Sequence, residues 1–381
     1  MATGKDKPFR VGISGSYGGL NLGDEAILEG ILSQLRASLP VEVTVFSRNP
    51  DDTLKRHGVE HAVPVRDLSR DEARREIAGL DLFILGGGGI LFDSEAGIYL
   101  REVMLAHEEG VPVLLYAISA GPLDRPESGA AVRDALNRAA IVSVRERGSQ
   151  HLLESLGVQQ EIHVTADPAL LLEPQPISED ALEREGVERR GKWLIGMSVR
   201  EPGVAAPDLE PDHYHALLAN AGDFLIERFD ADLIFVPMES SMQDLQQSHA
   251  VMSKMANPHR ARVLKGQYTS GQMLTVIKHF DFAVGMRLHF LIFAALQRVP
   301  FVALPYGGKV DGFLEDLQMP APRVQRVNAG QLIAHLDRSL DTRRDLQQRI
   351  GEQLPALIER ARLTNRFAVQ LLRDARGAAP S

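Results

Sequence analysis

Asp281-Phe-Ala-Val-Gly-Met-Arg-Leu-His-Phe-Leu-Ile-Phe-Ala-Ala-Leu-Gln-Arg-Val-Pro-Phe-Val-Ala-Leu-Pro305 holds a whole strand–helix–strand unit. Phe282 to Val284 is a short apolar strand that Gly285 breaks. Phe290 to Leu296 continues as a strongly apolar helix, and Phe301 to Leu304 is the next strand. A buried strand, a helix and a second buried strand in succession make a parallel βαβ unit. Arg287 and His289 stand where the first strand turns into the helix. A helix start there offers unbonded N–H groups and a positive dipole end to an anion. Ligands of open α/β sheets sit at that same edge. Arg287 and His289 are thus placed to hold an anion and to move a proton. The plainer reading, a capping arginine and a packed histidine, stands level with it on spacing alone.

The same alternation runs through most of the chain. Strands are expected at Phe9–Ser14, Val41–Phe46, Leu82–Leu85, Val113–Ile118, Ile141–Val144 and Ile162–Thr165, with helices at Glu25–Leu39, Ser69–Leu80, Ile98–Glu109, Ser128–Ala139 and Arg147–Leu156. Leu172-Glu-Pro-Gln-Pro-Ile-Ser178 and the charge-dense Glu179 to Lys192 read as a linker. A second series follows, with strands at Trp193–Val199, Ala231–Pro237 and Ala261–Leu264 and helices at His213–Phe229 and Ser270–His279, before the Arg287 unit. Residues Asn328 to Arg376 read as arginine-rich helix that Pro355 splits or restarts. The expected architecture is α/β, two Rossmann-like lobes facing a cleft, GT-B-like. Its parts are residues 1–175, residues 190–335, and a helical tail at 336–381 that returns to lobe one.

Bulk composition bounds the function. A chain of 381 residues should form about two or three domains. With 44% apolar and 24% charged residues it is an ordinary globular protein, and a net charge of −9 argues against a general nucleic-acid binder. The chain has no cysteine, which removes disulfide and thiolate chemistry and fits a reducing cytosol. No signal-like segment or run of transmembrane length is present. A cytoplasmic protein with at most peripheral membrane contact follows, through the arginine-rich tail at the inner face if anywhere.

Several loops carry candidate residues. Gly12-Ile-Ser-Gly-Ser-Tyr-Gly-Gly-Leu-Asn-Leu-Gly-Asp-Glu-Ala-Ile-Leu28 is neither a dinucleotide fingerprint nor a phosphate loop. Tyr17, Asn21, Asp24 and Glu25 lie in it, and helix capping is the competing use of the last two. Gly86-Gly-Gly-Gly-Ile-Leu-Phe-Asp93 closes the third strand and costs conformational entropy, and a close approach to Gly87 and Gly88 by a ligand or the opposing lobe explains the run better than a plain turn. Val142-Ser-Val-Arg-Glu-Arg-Gly-Ser149 sets Arg145 and Arg147 at alternate positions, on one face if the segment is extended. A salt bridge to Glu146 is the plainer reading. Arg200 ends the first strand of lobe two, and Lys309 follows the Arg287 unit. Together these cations describe a site for a small, highly charged anion. No His-Glu-x-x-His or clustered Asp/His spacing indicates a metal.

In this order the blocks Tyr17–Leu28, Gly86–Asp93, Val142–Ser149, Val164–Leu170, Gly285–His289 and Tyr306–Asp311 resemble the polysaccharide pyruvyl transferase family, most closely its cell-wall branch. The resemblance spans roughly residues 9 to 320. It departs at Gly307-Gly308, where that branch commonly has Asp-Pro. The resemblance implies a GT-B-like fold and transfer of a pyruvyl unit from phosphoenolpyruvate to a sugar as a ketal, with no metal or resident cofactor. It implies His289 as general acid and Arg287, Arg145 and Lys309 as anion clamps, with Arg147 and Arg200 beside the donor. Tyr17, Asn21, Glu25, Gly87 and Gly88 fall to the acceptor sugar, and Asp24 or Glu25 to its hydroxyl proton. Whether that acceptor is lipid-linked stays open. Two rivals stand beside this reading: a nucleotide-sugar glycosyltransferase or epimerase of the same fold, and a non-catalytic sugar- or anion-binding protein.

Overall fold

The computed structural model describes residues 7–201, 210–239, 243–304, 308–319 and 329–377. The chain divides into two units. One holds Met1–Gly19, Asp24–Leu172 and Leu357–Ser381; the other holds Leu20–Gly23 and Glu173–Ala356.

Unit 1 is built on a parallel sheet of β1 (Phe9–Ser14), β2 (Val41–Ser47), β3 (His61–Pro64), β4 (Leu82–Leu85), β5 (Gly88–Leu91), β6 (Val113–Ala120), β7 (Ile141–Val144) and β8 (Ile162–Val164). The strand order is β3-β2-β1-β4-β6-β7-β8, with β5 paired to β6. The chain moves outward from β1 to β3, crosses back to β4 on the other side of β1, and continues to β8. Right-handed crossovers then put helices on both faces, so the strands are apolar on both sides. Every residue of β4 is buried, and Phe46 of β2 meets Phe83 of β4 edge-on at 5.7 Å between ring centres. Each such aromatic contributes about 1.5–3 kcal/mol when fully buried.

Unit 2 repeats the plan with five parallel strands: β9 (Trp193–Ser198), β10 (Ala231–Phe235), β11 (Ala261–Val263), β12 (Phe282–Gly285) and β13 (Phe301–Ala303). Their order is β11-β10-β9-β12-β13. In both units the direction of winding reverses between the first strand and its inner neighbour, β1 with β4 and β9 with β12. That reversal opens a crevice at the strands' carboxyl ends.

Some expectations need correction. The helix expected at Glu25 runs Leu22–Ser38, so Asp24 and Glu25 lie inside its first turn. The glycine run is not a loop throughout, because Gly88–Leu91 pairs as β5. The helices Pro50–His57 and Gln243–Lys254 and the strand β3 have no counterpart in the sequence reading. At the end of the chain the break falls at Thr342, between helices Ala329–Asp341 and Arg343–Gly377. Pro355 lies within the second helix and does not split it. It stands beside the boundary at which the helix passes from unit 2 to unit 1, after Ala356. Asn328, Tyr306 and Gly307 lie outside the described residues.

Candidate active site

In unit 2 Arg200 follows β9, and Arg287 and His289 follow β12, at the carboxyl ends where the winding reverses. Gly285 ends β12, Arg287 is the N-cap of the helix Leu288–Leu296, and His289 is in its first turn. The Arg287 guanidinium is not an open cation. Its Nε donates to Asp244 at 3.0 Å, and Nη2 donates to Asp244 and, at 2.9 Å, to Glu239. Asp244 is buried in the first turn of the helix Gln243–Lys254, and also accepts from the backbone N–H of Met238 at 3.1 Å and of Glu239 at 3.3 Å. Burial pushes the Asp244 carboxyl up while Arg287 pulls it down. Burial works against the Arg287 charge, and Asp244 with Glu239 more than offsets it, raising its pKa. The pair is an ionised, bidentate fork.

Arg200 is half-buried and pairs with its neighbour Glu201. Its backbone carbonyl takes a hydrogen bond from the Tyr214 hydroxyl at 2.5 Å. Lys309 is exposed near the start of the helix Gly308–Asp316.

The tetrad Leu20–Gly23 also belongs to this unit. Asn21 bridges Glu239 as an antiparallel pair, Leu22 N–H donates to the Met238 carbonyl at 2.8 Å, and the Ser270 hydroxyl donates to the Leu22 carbonyl at 2.7 Å. Asn21, read as an acceptor ligand, uses its side-chain oxygen to accept from Gly23 N–H at 2.9 Å. It caps the helix it precedes, which satisfies an N–H that the helix cannot. A Cβ on Gly23 would lie 1.9 Å from His289 Nδ1, so the imidazole rests on the helix start where only glycine leaves room.

In unit 1 the crevice between β1 and β4 holds Tyr17, Asp24, Glu25 and the glycine run. Tyr17 is fully buried, its ring against Gly15 and its hydroxyl against Gly86. Among the described residues the hydroxyl has no hydrogen-bond partner, and burial, then Asp24 and Glu25, raises its pKa well above the usual phenol value. Tyr17 is therefore not an exposed acceptor contact. Glu25 is buried as well: Oε1 accepts from Gly18 N–H at 2.9 Å and Oε2 meets His57 Nε2 at 2.8 Å. Both oxygens are committed, so in this arrangement it is neither an open acceptor ligand nor an open base. Asp24 is half-buried, its Oδ1 3.6 Å from where a Cβ on Gly88 would stand.

The glycines are approached closely, but by their own unit. A Cβ on Gly86 would meet the Tyr17 hydroxyl at 1.9 Å, and one on Gly87 the carbonyl oxygens of Tyr116 and Ala117 at 3.1 and 3.2 Å. Ala117 is left-handed, at φ 50°, where the β6–β7 register shifts. A bulge in β6 thus turns those carbonyls toward Gly87. Gly88, at φ 103°, is the run's remaining special position.

Arg145 and Arg147 do not share a face. The strand ends at Val144 and Arg147 opens the helix Arg147–Ser155, exposed. Arg145 turns inward, its side chain 4% exposed, and donates to Asp167 and Ser119 at 2.5 and 2.6 Å, with Glu146 at 3.3 Å. It is a buried, neutralised cation, and its partner Asp167 lies in the block Val164–Leu170. Asp244, Glu239 and His57 were missed outright, since each is remote in sequence from the residue it serves.

The solved structures that the chain is like share the GT-B-like, two-lobed α/β fold. A glycosyltransferase from Rickettsia africae ESF-5 is 13% identical over 98% of this chain and 100% of its own, with a TM-score of 0.65. The UDP-GlcNAc 2-epimerase from Neisseria meningitidis, solved bound to UDP-GlcNAc, is 10% identical over 96% and 99%, with a TM-score of 0.63. That from Methanocaldococcus jannaschii is 12% identical over 87% and 92%, at 0.58. At such identities the likeness speaks for fold alone. The sequence goes further: the family model described as polysaccharide pyruvyl transferase matches residues 21–308, and the chain belongs to that family. No curated protein matches it. Among the described residues no helix is long and apolar enough to cross a membrane.

Proposed function

We propose that this member of the pyruvyl transferase family takes its pyruvyl group from phosphoenolpyruvate and sets it as a ketal on a sugar of a cell-surface polysaccharide or its precursor. The observation that carries the reading is Arg287 with His289 at the crevice between β9 and β12, on the helix N-terminus that follows β12. Protonation of the donor's methylene carbon creates a cationic centre; one sugar hydroxyl adds, phosphate leaves with the C–O bonding pair, and the second hydroxyl adds to the cation that remains, one hydroxyl proton restoring the acid and the other leaving with the phosphate. His289 is assigned the proton donation, which suits an imidazole near neutral pH. Arg287 is assigned the donor anion. Asp244 holds the guanidinium in place, and Glu239, the more exposed of its two carboxylates, gives way to the donor. Lys309 and Arg200, in the same unit, are assigned to the phosphate. Asp24 is assigned to the acceptor side, and Arg145 keeps a supporting place through Asp167.

Phosphate release from phosphoenolpyruvate, screened across free, nucleotide-linked and lipid-linked hexosamines, tests the reading. Release that depends on one acceptor class supports it. The structures solved with UDP or UDP-GlcNAc favour a second reading, in which a nucleotide sugar is the substrate. No release from phosphoenolpyruvate, with turnover of a uridine diphosphate sugar, would replace the first reading by the second.

A further inference from the structure

The helix Pro50–His57 ends on a histidine whose two ring nitrogens both face carboxylates. Nε2 lies 2.8 Å from Glu25 and Nδ1 lies 2.9 Å from Glu29, with the side chain 2% exposed. Ionised carboxylates only accept, and a neutral imidazole has one N–H. The arrangement is complete only with imidazolium, which also suits a helix C-terminus. Glu25, itself 1% exposed, carries the Gly18 N–H on its other oxygen. Glu29 is the outer member of the series, at 37% exposure. Arg36, on the helix that carries both glutamates, grips the far side through the carbonyls of His57 at 3.1 Å and Gly58 at 2.8 Å. Among the other charges on packed elements, Arg36 also pairs with Glu60, Arg56 with Asp52 on the same helix, and His61 of β3 with Glu42 of β2.

We propose that His57 is a positioning residue for the glycine loop Gly15–Gly19: held between Glu29 and Glu25, it fixes Glu25 so that Glu25 anchors Gly18. Without the imidazolium, Glu25 is a buried charge lacking its partner, and the anchor loosens. Burial alone would lower the His57 pKa, but its hydrogen bonds and charge contacts with Glu25 and Glu29 prevail and raise it. The loop's order is therefore tied to pH through the His57 titration. The inference rests on the functional reading only in giving this loop to the acceptor side.

Hydrogen exchange of the loop, followed by mass spectrometry on the full chain and corrected for intrinsic rates, tests it without any substrate. A failure here is thus distinct from a failure of the functional reading. In the wild type, protection of the loop is expected to be high at pH 6 and to fall as pH rises through the His57 titration. In His57→Gln the loop should exchange about tenfold faster at pH 6, as for one lost hydrogen bond to a charged group, and show no fall with pH. Glu29→Gln removes only the outer carboxylate, so its fall should move to lower pH. Peptides from β4 and β6 should be unchanged in both variants. A folded His57→Gln protein with wild-type loop protection would overturn the proposal. So would a Glu29→Gln protein whose fall stays where the wild type has it.

Discussion

Gly23 and His289 are in contact at the level of a single missing methyl group: a Cβ on Gly23 would stand 1.9 Å from Nδ1 and 2.4 Å from Cγ of the imidazole. The helix start is held by the Leu22 N–H on the Met238 carbonyl and by the Ser270 hydroxyl on the Leu22 carbonyl, so the ring is the part expected to give. Gly23→Ala should therefore displace the ring and leave the fold standing. If His289 is the proton donor, turnover in Gly23→Ala and in His289→Ala should both fall by roughly 10²–10⁴-fold, the usual worth of a positioned acid. Melting temperature and donor affinity should change little. Near-normal turnover in His289→Ala would return the histidine to a packing role.

The carboxylates on Arg287 separate two effects. Glu239→Gln removes the charge that competes with the donor, so it should lower the KM for phosphoenolpyruvate with kcat little changed. Asp244→Ala strips a buried bidentate partner and the acceptor of two backbone amides. It should cost about 3 kcal/mol of stability, as breaking a buried pair from one side does. Urea titration and steady-state kinetics on the two variants check this. A raised KM in Glu239→Gln would mean that Glu239 helps to hold the donor site together.

The sequence showed the strands well because parallel strands buried on both faces are unbroken apolar runs, as in Leu82–Leu85 and Phe301–Ala303. It also put Arg287 and His289 at a strand's carboxyl end. It could not show pairing. The run Val142–Arg147 looks the same whether Arg145 faces a ligand or Asp167, and only the fold brings β7 beside β8. Gly86 and Gly87 are approached closely by Tyr17 and by a bulge of their own unit, which leaves no mark in sequence. The helix Pro50–His57, started by Asn49 accepting from Asp52 N–H, carries too few apolar residues to show a helical period, and that hid His57.

The His57 cluster also predicts a pH effect on global stability. Its folded pKa is raised above the unfolded value of about 6.5. A group raised in this way contributes stability that is fully present below the unfolded pKa and is lost as pH rises through the folded pKa. The difference in unfolding free energy between wild type and His57→Gln should thus be largest below about pH 6.5 and shrink on the alkaline side. Comparing the two proteins cancels the other titrating groups, including carboxyls of opposite sign such as Asp232 and Glu201, whose pKa values are lowered. Urea unfolding from pH 5.5 upward, in about half-unit steps, reads the difference directly. A difference that is flat with pH would mean that the imidazole packs without its charge.

The last prediction is that turnover needs no added metal. Among the described residues no three or more His, Asp or Glu side chains are grouped to hold an ion. Of the carboxylates in this unit, Asp244 and Glu239 are bound to Arg287 and Glu201 to Arg200. Charge leaving with phosphate can be met by preorganised cations instead, and Arg200, Arg287 and Lys309 are the ones assigned here. Arg287→Ala should then weaken donor binding in a way that magnesium does not rescue, since a lost charge-assisted contact has no metal ligand to replace it. Turnover of the wild type in excess chelator should match turnover without it. Collapse in chelator, with recovery on adding magnesium or manganese, would remove the all-cation site and favour a nucleotide diphosphate as the leaving group.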